Sequence, residues 1–132
     1  MLYGSECLAL KGQQEKKVGV TEMRMLRWMC GYTRLDRMKN DYIRTDIGVA
    51  PIEAKMVENR LRWFGHVERR PLEAPVRRVD GMTFSPLKRG RGRPQRTLKE
   101  LIRQDLRLNN ISERLVFDRA IWRRVIHVAD PT

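Results

Sequence analysis

Cysteine and histidine are scarce, with two of each in 132 residues. The gaps separating Cys7, Cys30, His66 and His127 are far from any zinc-finger spacing, so no metal site is expected. Two cysteines in apolar contexts cannot make a disulfide framework either, which points to a reducing compartment. Long apolar runs are missing, and no stretch approaches the ~20 residues that a membrane span requires. The opening Met-Leu-Tyr-Gly-Ser-Glu-Cys lacks a basic segment followed by an apolar one. A nuclear or cytoplasmic chain with no membrane partner is therefore expected. Alternation with period two is almost absent, which argues against a sheet. Catalytic chemistry lacks its usual groups as well. Acidic pairs such as Asp36 with Asp41, or Glu53 with Glu58, have no nucleophile or histidine arrangement beside them, and no paired-aspartate segment of the two-metal polymerase kind occurs. No enzymatic activity and no cofactor are expected.

Positive charge, in contrast, is abundant. Lys and Arg number 28 against 16 Asp and Glu, a formal net charge of +12. The excess is concentrated late in the chain, where residues 81–132 hold 12 basic and 5 acidic side chains. A polyanion is the default partner of such a chain, and its C-terminal part the expected face. Hydrophobic residues make up 41% and charged residues 33%, which suits thin helical layers better than a thick core. The length fits one small domain or a few helical units and excludes a multi-domain enzyme with a large interior cleft.

Helical periodicity dominates, so the expected fold class is all-α: a small multi-helix assembly, a basic linker and a C-terminal helical hairpin. The first residues form an apolar, helix-compatible segment with no N-cap before it, as expected of a cut end. A helix over 13–30 follows from the recurrence of Val18, Met25, Leu26 and Met29, with Lys16, Lys17, Arg24 and Arg27 facing elsewhere and Gly31 as its stop. Asp36 is placed to cap a short helix ending at Gly48, with Tyr42, Ile43 and Ile47 apolar. Pro51 suits the first turn of a helix to about residue 69, whose inward stripe is Ile52, Met56, Leu61, Phe64 and Val67. Gly65 inside it weakens the helix by roughly 1 kcal/mol relative to Ala and marks close helix contact. These elements compose a helical region over 1–70. Residues 71–96 hold Pro71, Pro75, Pro86 and Pro94 with Gly81, Gly90 and Gly92, which predicts a mainly irregular linker, with Asp80-Gly81 able to turn a small hairpin. In the third region, 97–132, Thr97-Leu98-Lys99-Glu100 forms a capping box before a helix to about residue 108. Asn109-Asn110 then turns the chain, and Ser112 caps a last helix that runs through Trp122 and Ile126 to a stop at Asp130-Pro131.

The most specific local signal is Lys88-Arg89-Gly90-Arg91-Gly92-Arg93-Pro94, joined by Arg96. Its Arg-Gly-Arg-Pro core resembles an AT-hook, in which glycine lets an extended backbone approach the floor of a narrow minor groove whose negative potential attracts the arginines. The alternative is a solvated basic linker that glycine and proline merely keep unstructured. Arg103, Arg107, Arg114, Arg119, Arg123 and Arg124 surround the C-terminal hairpin and are candidates to neutralise phosphates without reading bases. A solvated face with intrahelical pairs, such as Glu100 with Arg103, is the alternative there. Trp28, Trp63 and Trp122 each adjoin an arginine, an arrangement that lets indole bury while guanidinium reaches solvent. Stacking on an unpaired base is the other use of such a tryptophan. His66 is expected on the helix surface or partly buried, making a hydrogen bond.

Taken in order, Leu2-Tyr3-Gly4-Ser5-Glu6-Cys7, Met25-Leu26-Arg27-Trp28-Met29-Cys30-Gly31 and Arg60-Leu61-Arg62-Trp63-Phe64-Gly65-His66-Val67 resemble the region after the catalytic core in LINE-type non-LTR retrotransposon reverse transcriptases, particularly plant copies. Gly92-Arg93-Pro94 and Asp118-Arg119-Ala120-Ile121-Trp122-Arg123 look like the end of the same family, so the resemblance spans essentially the whole chain. It departs at Leu8, where the family pattern has tryptophan, and at Leu98, where an aromatic is common. The resemblance implies a helical thumb-tail and connection region that helps hold template RNA or target DNA, with the metal-binding aspartates of the polymerase lying before Met1. The expected function is thus noncatalytic nucleic-acid binding by a C-terminal fragment of an RNA-directed DNA polymerase. A degenerate transposon remnant and a small AT-hook-like DNA-binding protein are the alternatives. Apolar helix faces left bare by the absent thumb would favour self-association.

Overall fold

The computed structural model describes residues 4–82, 92 and 97–131. Among these residues the fold is all-helical: α1 (Gly12–Met29), α2 (Asn40–Ile47), α3 (Ile52–Glu68), α4 (Pro75–Gly81), α5 (Leu98–Leu108) and α6 (Arg119–Ile126), with 3₁₀ turns at Ser5–Cys7 and Glu113–Phe117. No described helix is long and apolar enough to cross a membrane.

Three of the helices stop in the same way. After α1, Gly31 takes φ +72°, and the N–H groups of Gly31 and Tyr32 donate back to the carbonyls of Trp28 and Arg27. Gly48 does the same after α2, with Val49 N–H on the Arg44 carbonyl. Asn110, at φ 53°, repeats the turn after α5 and carries Ile111 N–H to the Leu106 carbonyl. In each case a left-handed residue satisfies carbonyls that the helix end would otherwise leave bare. At the start of α5, Thr97 Oγ1 accepts from Glu100 N–H (3.3 Å) and Glu100 Oε2 accepts from Thr97 N–H (3.0 Å), the capping box that the sequence predicts.

The long helix α3 organises the rest. One apolar cluster, Met23, Leu26 and Ile43 with Cys30, Tyr32, Met38 and Ile47 against it, joins α1 to α2. A larger cluster of Leu61, Ile102, Leu106, Ile111, Val116, Trp122 and Ile126 packs α5, α6 and the second 3₁₀ turn onto α3. Gly65 is the point of closest approach. A Cβ there would collide with the indole of Trp122, whose Cδ1 would lie 2.8 Å away, so the close helix contact expected at this glycine is with α6. The Trp122 Nε1–H donates to the Leu61 carbonyl at 3.2 Å, satisfying its one polar group inside the core.

The structure corrects several expectations. Met25 and Met29 are exposed on α1, and the residues that bury are Gly19, Glu22, Met23 and Leu26, because an inward-facing Glu22 takes a place on the packed face to meet Arg44. Helix α2 begins at Asn40 after Lys39; Asp36 accepts from Thr33 N–H and Oγ1–H and closes a separate turn. The stretch expected to be irregular contains α4, which starts with Pro75 at its first position and is held to α3 by Arg77 and Glu68 at 2.6 Å. That helix includes Asp80 and Gly81 and replaces the expected hairpin. The last helix is broken at Asp118, whose carboxylate accepts from Ala120 and Ile121 N–H (3.0 Å each) and caps α6, while Ser112 makes no such bond. Helices α5 and α6 each lie against α3, so the C-terminal region is not a self-contained hairpin.

Buried ion pairs tie the helices together beside these clusters. Arg60 on α3, 1% exposed, reaches Asp105 of α5 at 2.6 Å and Glu15 of α1 at 3.8 Å. Arg44 of α2 bonds Glu22 of α1 at 2.8 Å. The buried Glu58 gathers Lys55, Arg62 and His127 and accepts from Val128 N–H, tying the end of the chain to α3. Charges removed from water this far persist only when paired, so each pair fixes a helix position as well as a contact.

Candidate nucleic-acid interface

The outward stripe of α3 reads Asn59, Arg62, Trp63 and His66, and Arg69 and Arg70 continue it in the turn that ends the helix. Steps of three and four place them on one helix face. Helix α6 runs beside it and contributes Arg119 and Arg123, one turn apart. Together with Glu6 from the first 3₁₀ turn and the edge of Trp122, these residues line an open groove of about 1020 Å³. Five arginines thus meet one carboxylate. The sequence of α6 explains its orientation: Trp122 and Ile126 bury, which leaves Arg119 and Arg123 on the groove side.

Individual groups are held in place. Arg69 donates from Nη1 to the Val116 carbonyl at 2.7 Å, and Arg62 is paired with Glu58. Arg70 Nε–H donates to His66 Nε2 at 3.4 Å, and the His66 ring lies 5.8 Å from that of Trp63 with the planes 29° apart. His66 is therefore an exposed surface histidine with a hydrogen bond, as the sequence suggests. Burial lowers the pKa of Arg69 from its ordinary value, and the positive charge of Arg119 lowers it further. Both side chains line the groove. An anion placed between them would offset their like charges.

Of the arginines singled out in the sequence, the groove brings together Arg119 and Arg123 alone. Arg107, Arg114 and Arg124 are exposed away from its lining. Arg103 borders a different, mainly apolar recess of about 360 Å³ between α3, α4 and α5. Lys88, Arg89, Arg91, Arg93 and Arg96, and with them the Arg-Gly-Arg-Pro motif apart from Gly92, lie outside the described residues. The three tryptophans also divide. Trp122 is fully buried, Trp63 is half-buried in the groove, and Trp28 is 84% exposed on α1, contrary to the burial expected of it. Trp28 follows Arg27, whose guanidinium turns inward to the Met38 carbonyl (2.7 Å) and to Asn40 (2.9 Å).

Sequence reasoning named Trp63 and His66 singly but missed Arg62, Arg69 and Arg70 as phosphate contacts beside them. Their signal was present in the spacing 59, 62, 63, 66, 69 and 70, a polar and aromatic stripe opposite the apolar one. No group of three or more His, Cys, Asp or Glu side chains able to hold a metal ion occurs among the described residues. No known protein family, no curated protein and no solved structure matches the chain.

Proposed function

We propose that the chain is a noncatalytic nucleic-acid-binding module, the C-terminal region of a LINE-type reverse transcriptase, acting in the nucleus or cytoplasm. It holds template RNA or target DNA by phosphate contacts. The observation that carries this reading is the groove between α3 and α6, where five arginines face one carboxylate. Such a surface is suited to the sequence-independent part of nucleic-acid affinity, in which Lys and Arg replace condensed counterions along a phosphate backbone. The late basic segment, Lys88, Arg89, Arg91, Arg93 and Arg96, supplies further positive charge on the same chain.

The reading assigns the contacts to α6 and α3 over α5. Fluorescence anisotropy with labelled RNA, duplex DNA and RNA–DNA hybrid at low salt tests it. The double variant Arg119→Ala, Arg123→Ala is expected to lose affinity several-fold more than Arg103→Ala, Arg107→Ala, although each removes two charges. Equal losses would assign binding to overall charge and remove the groove from the account.

A further inference from the structure

We infer that the α3–α6 groove accepts an unpaired base together with phosphate, so that its ligand is single-stranded nucleic acid and Trp63 is the stacking platform. The inference rests on the nucleic-acid reading above and narrows it.

Two indoles border the groove, and only one is free to act. Trp122 is fully buried with its N–H on the Leu61 carbonyl. Trp63 is half-buried, and Arg62 and His66 of α3, with Arg70 just after it, share the groove wall. The exposed His66 ring lies near parallel to it, and Arg70 Nε–H fixes His66 from the side through Nε2. Two flat rings are thus held among cations that have phosphate as their natural partner. An intact duplex presents phosphates outward and keeps its bases covered by their neighbours, so an aromatic platform between the arginines would gain nothing from it. A single strand offers both groups at once, because each unpaired base has a free face and the backbone can adjust to reach the guanidinium groups.

The test compares three probes on the wild-type chain: short oligothymidine, an abasic strand of the same length, and a blunt duplex matched in phosphate number. Oligothymidine is expected to bind roughly 5- to 150-fold more tightly than the abasic strand, the range for stacking of one base. It is also expected to bind more tightly than the duplex. Trp63→Leu is expected to remove the advantage of the base-bearing strand over the abasic one, and Trp63→Phe to restore most of it. Oligouridine run in parallel separates RNA from DNA as the source of the strand, and base-dependent binding of either supports the inference. Equal affinity for the base-bearing and abasic strands, or duplex binding as tight as that of oligothymidine, would overturn it and leave a phosphate site in place. Absence of salt-dependent binding by every probe would overturn the nucleic-acid reading itself.

Discussion

Arg60 illustrates how differently arginines behave in this chain. Its sequence neighbours, Arg-Leu-Arg-Trp, give Arg60 and Arg62 nearly the same local context, yet Arg60 is buried on Asp105 and Arg62 reaches the groove. The difference lies in the helix phase. Arg60 points between α1 and α5, where carboxylates from both are in reach, and Arg62 lies two residues on, about 200° around the helix. Nothing in a single sequence says which arginine will meet a partner distant along the chain, so the buried ion pairs were not legible in advance. Removing Asp105 leaves a buried guanidinium with Glu15 as its one long ionic contact. Asp105→Ala is expected to destabilise the fold by about 3–5 kcal/mol, a large part of a typical domain's stability. Urea unfolding followed by circular dichroism measures this, and a loss below about 1 kcal/mol would mean that the pair is solvated.

At the scale of elements, what the sequence declared was governed by local chemistry. The extent of α1, the α3 period, the Gly31 and Gly48 stops, the Thr97–Glu100 box and the Asn109-Asn110 turn all depend on residues within one or two turns of each other, and all occur as expected, whereas the buried face of α1 does not. The failures share a different cause. Helix α4 starts on Pro75, which suits a first helical position, and is tied to α3 by Arg77 reaching Glu68, a partner distant along the chain. The break at Asp118 was hidden because the hydrophobic pattern continues through it, while the carboxylate starts a new helix with two backbone bonds. This break aims Arg119 and Arg123 into the groove. Asp118→Ala is expected to cost about 1 kcal/mol, as for other N-cap losses, and to weaken nucleic-acid binding through the misplaced arginines. Asp118→Asn, which keeps an accepting oxygen, is expected to retain most of both. Binding of Asp118→Ala at wild-type affinity would show that the cap does not position the site.

Across the whole molecule, α3 carries one side of the larger apolar cluster and one face of the groove, so folding and binding use the same helix. The end of the chain is tied back onto it. Asp130 accepts from Ala50 N–H at 3.1 Å and pairs with Lys55 at 3.3 Å, while Lys55 also donates to the Val128 carbonyl at 2.6 Å. The Ala50 bond, followed by the Lys55 bond and the nearby positive charge, lowers the Asp130 pKa below the ordinary carboxylate value. A carboxylate lowered on folding stabilises the native state above its unfolded pKa, near 4, and that contribution is lost as pH falls through the folded value. Wild type is therefore expected to exceed Asp130→Asn in melting temperature at pH 7, with the gap closing below about pH 4. A gap independent of pH would assign the effect to shape and not to charge.

The groove itself became visible only when α6 was laid beside α3. Its arginines come from two parts of the chain, and the charge excess of the C-terminal third gives no hint that α3 and the turn after it supply the other three. The central claim is that these side chains bind by displacing counterions from phosphates. The most direct measurement is the dissociation constant for one nucleic acid over a range of salt concentrations, for wild type and for Arg119→Ala, Arg123→Ala. The logarithm of the wild-type affinity is expected to fall linearly with the logarithm of salt concentration, and the double variant to lower that slope by roughly 1 to 2, the loss of two phosphate contacts. An affinity insensitive to salt, or a slope unchanged in the variant, would contradict the account.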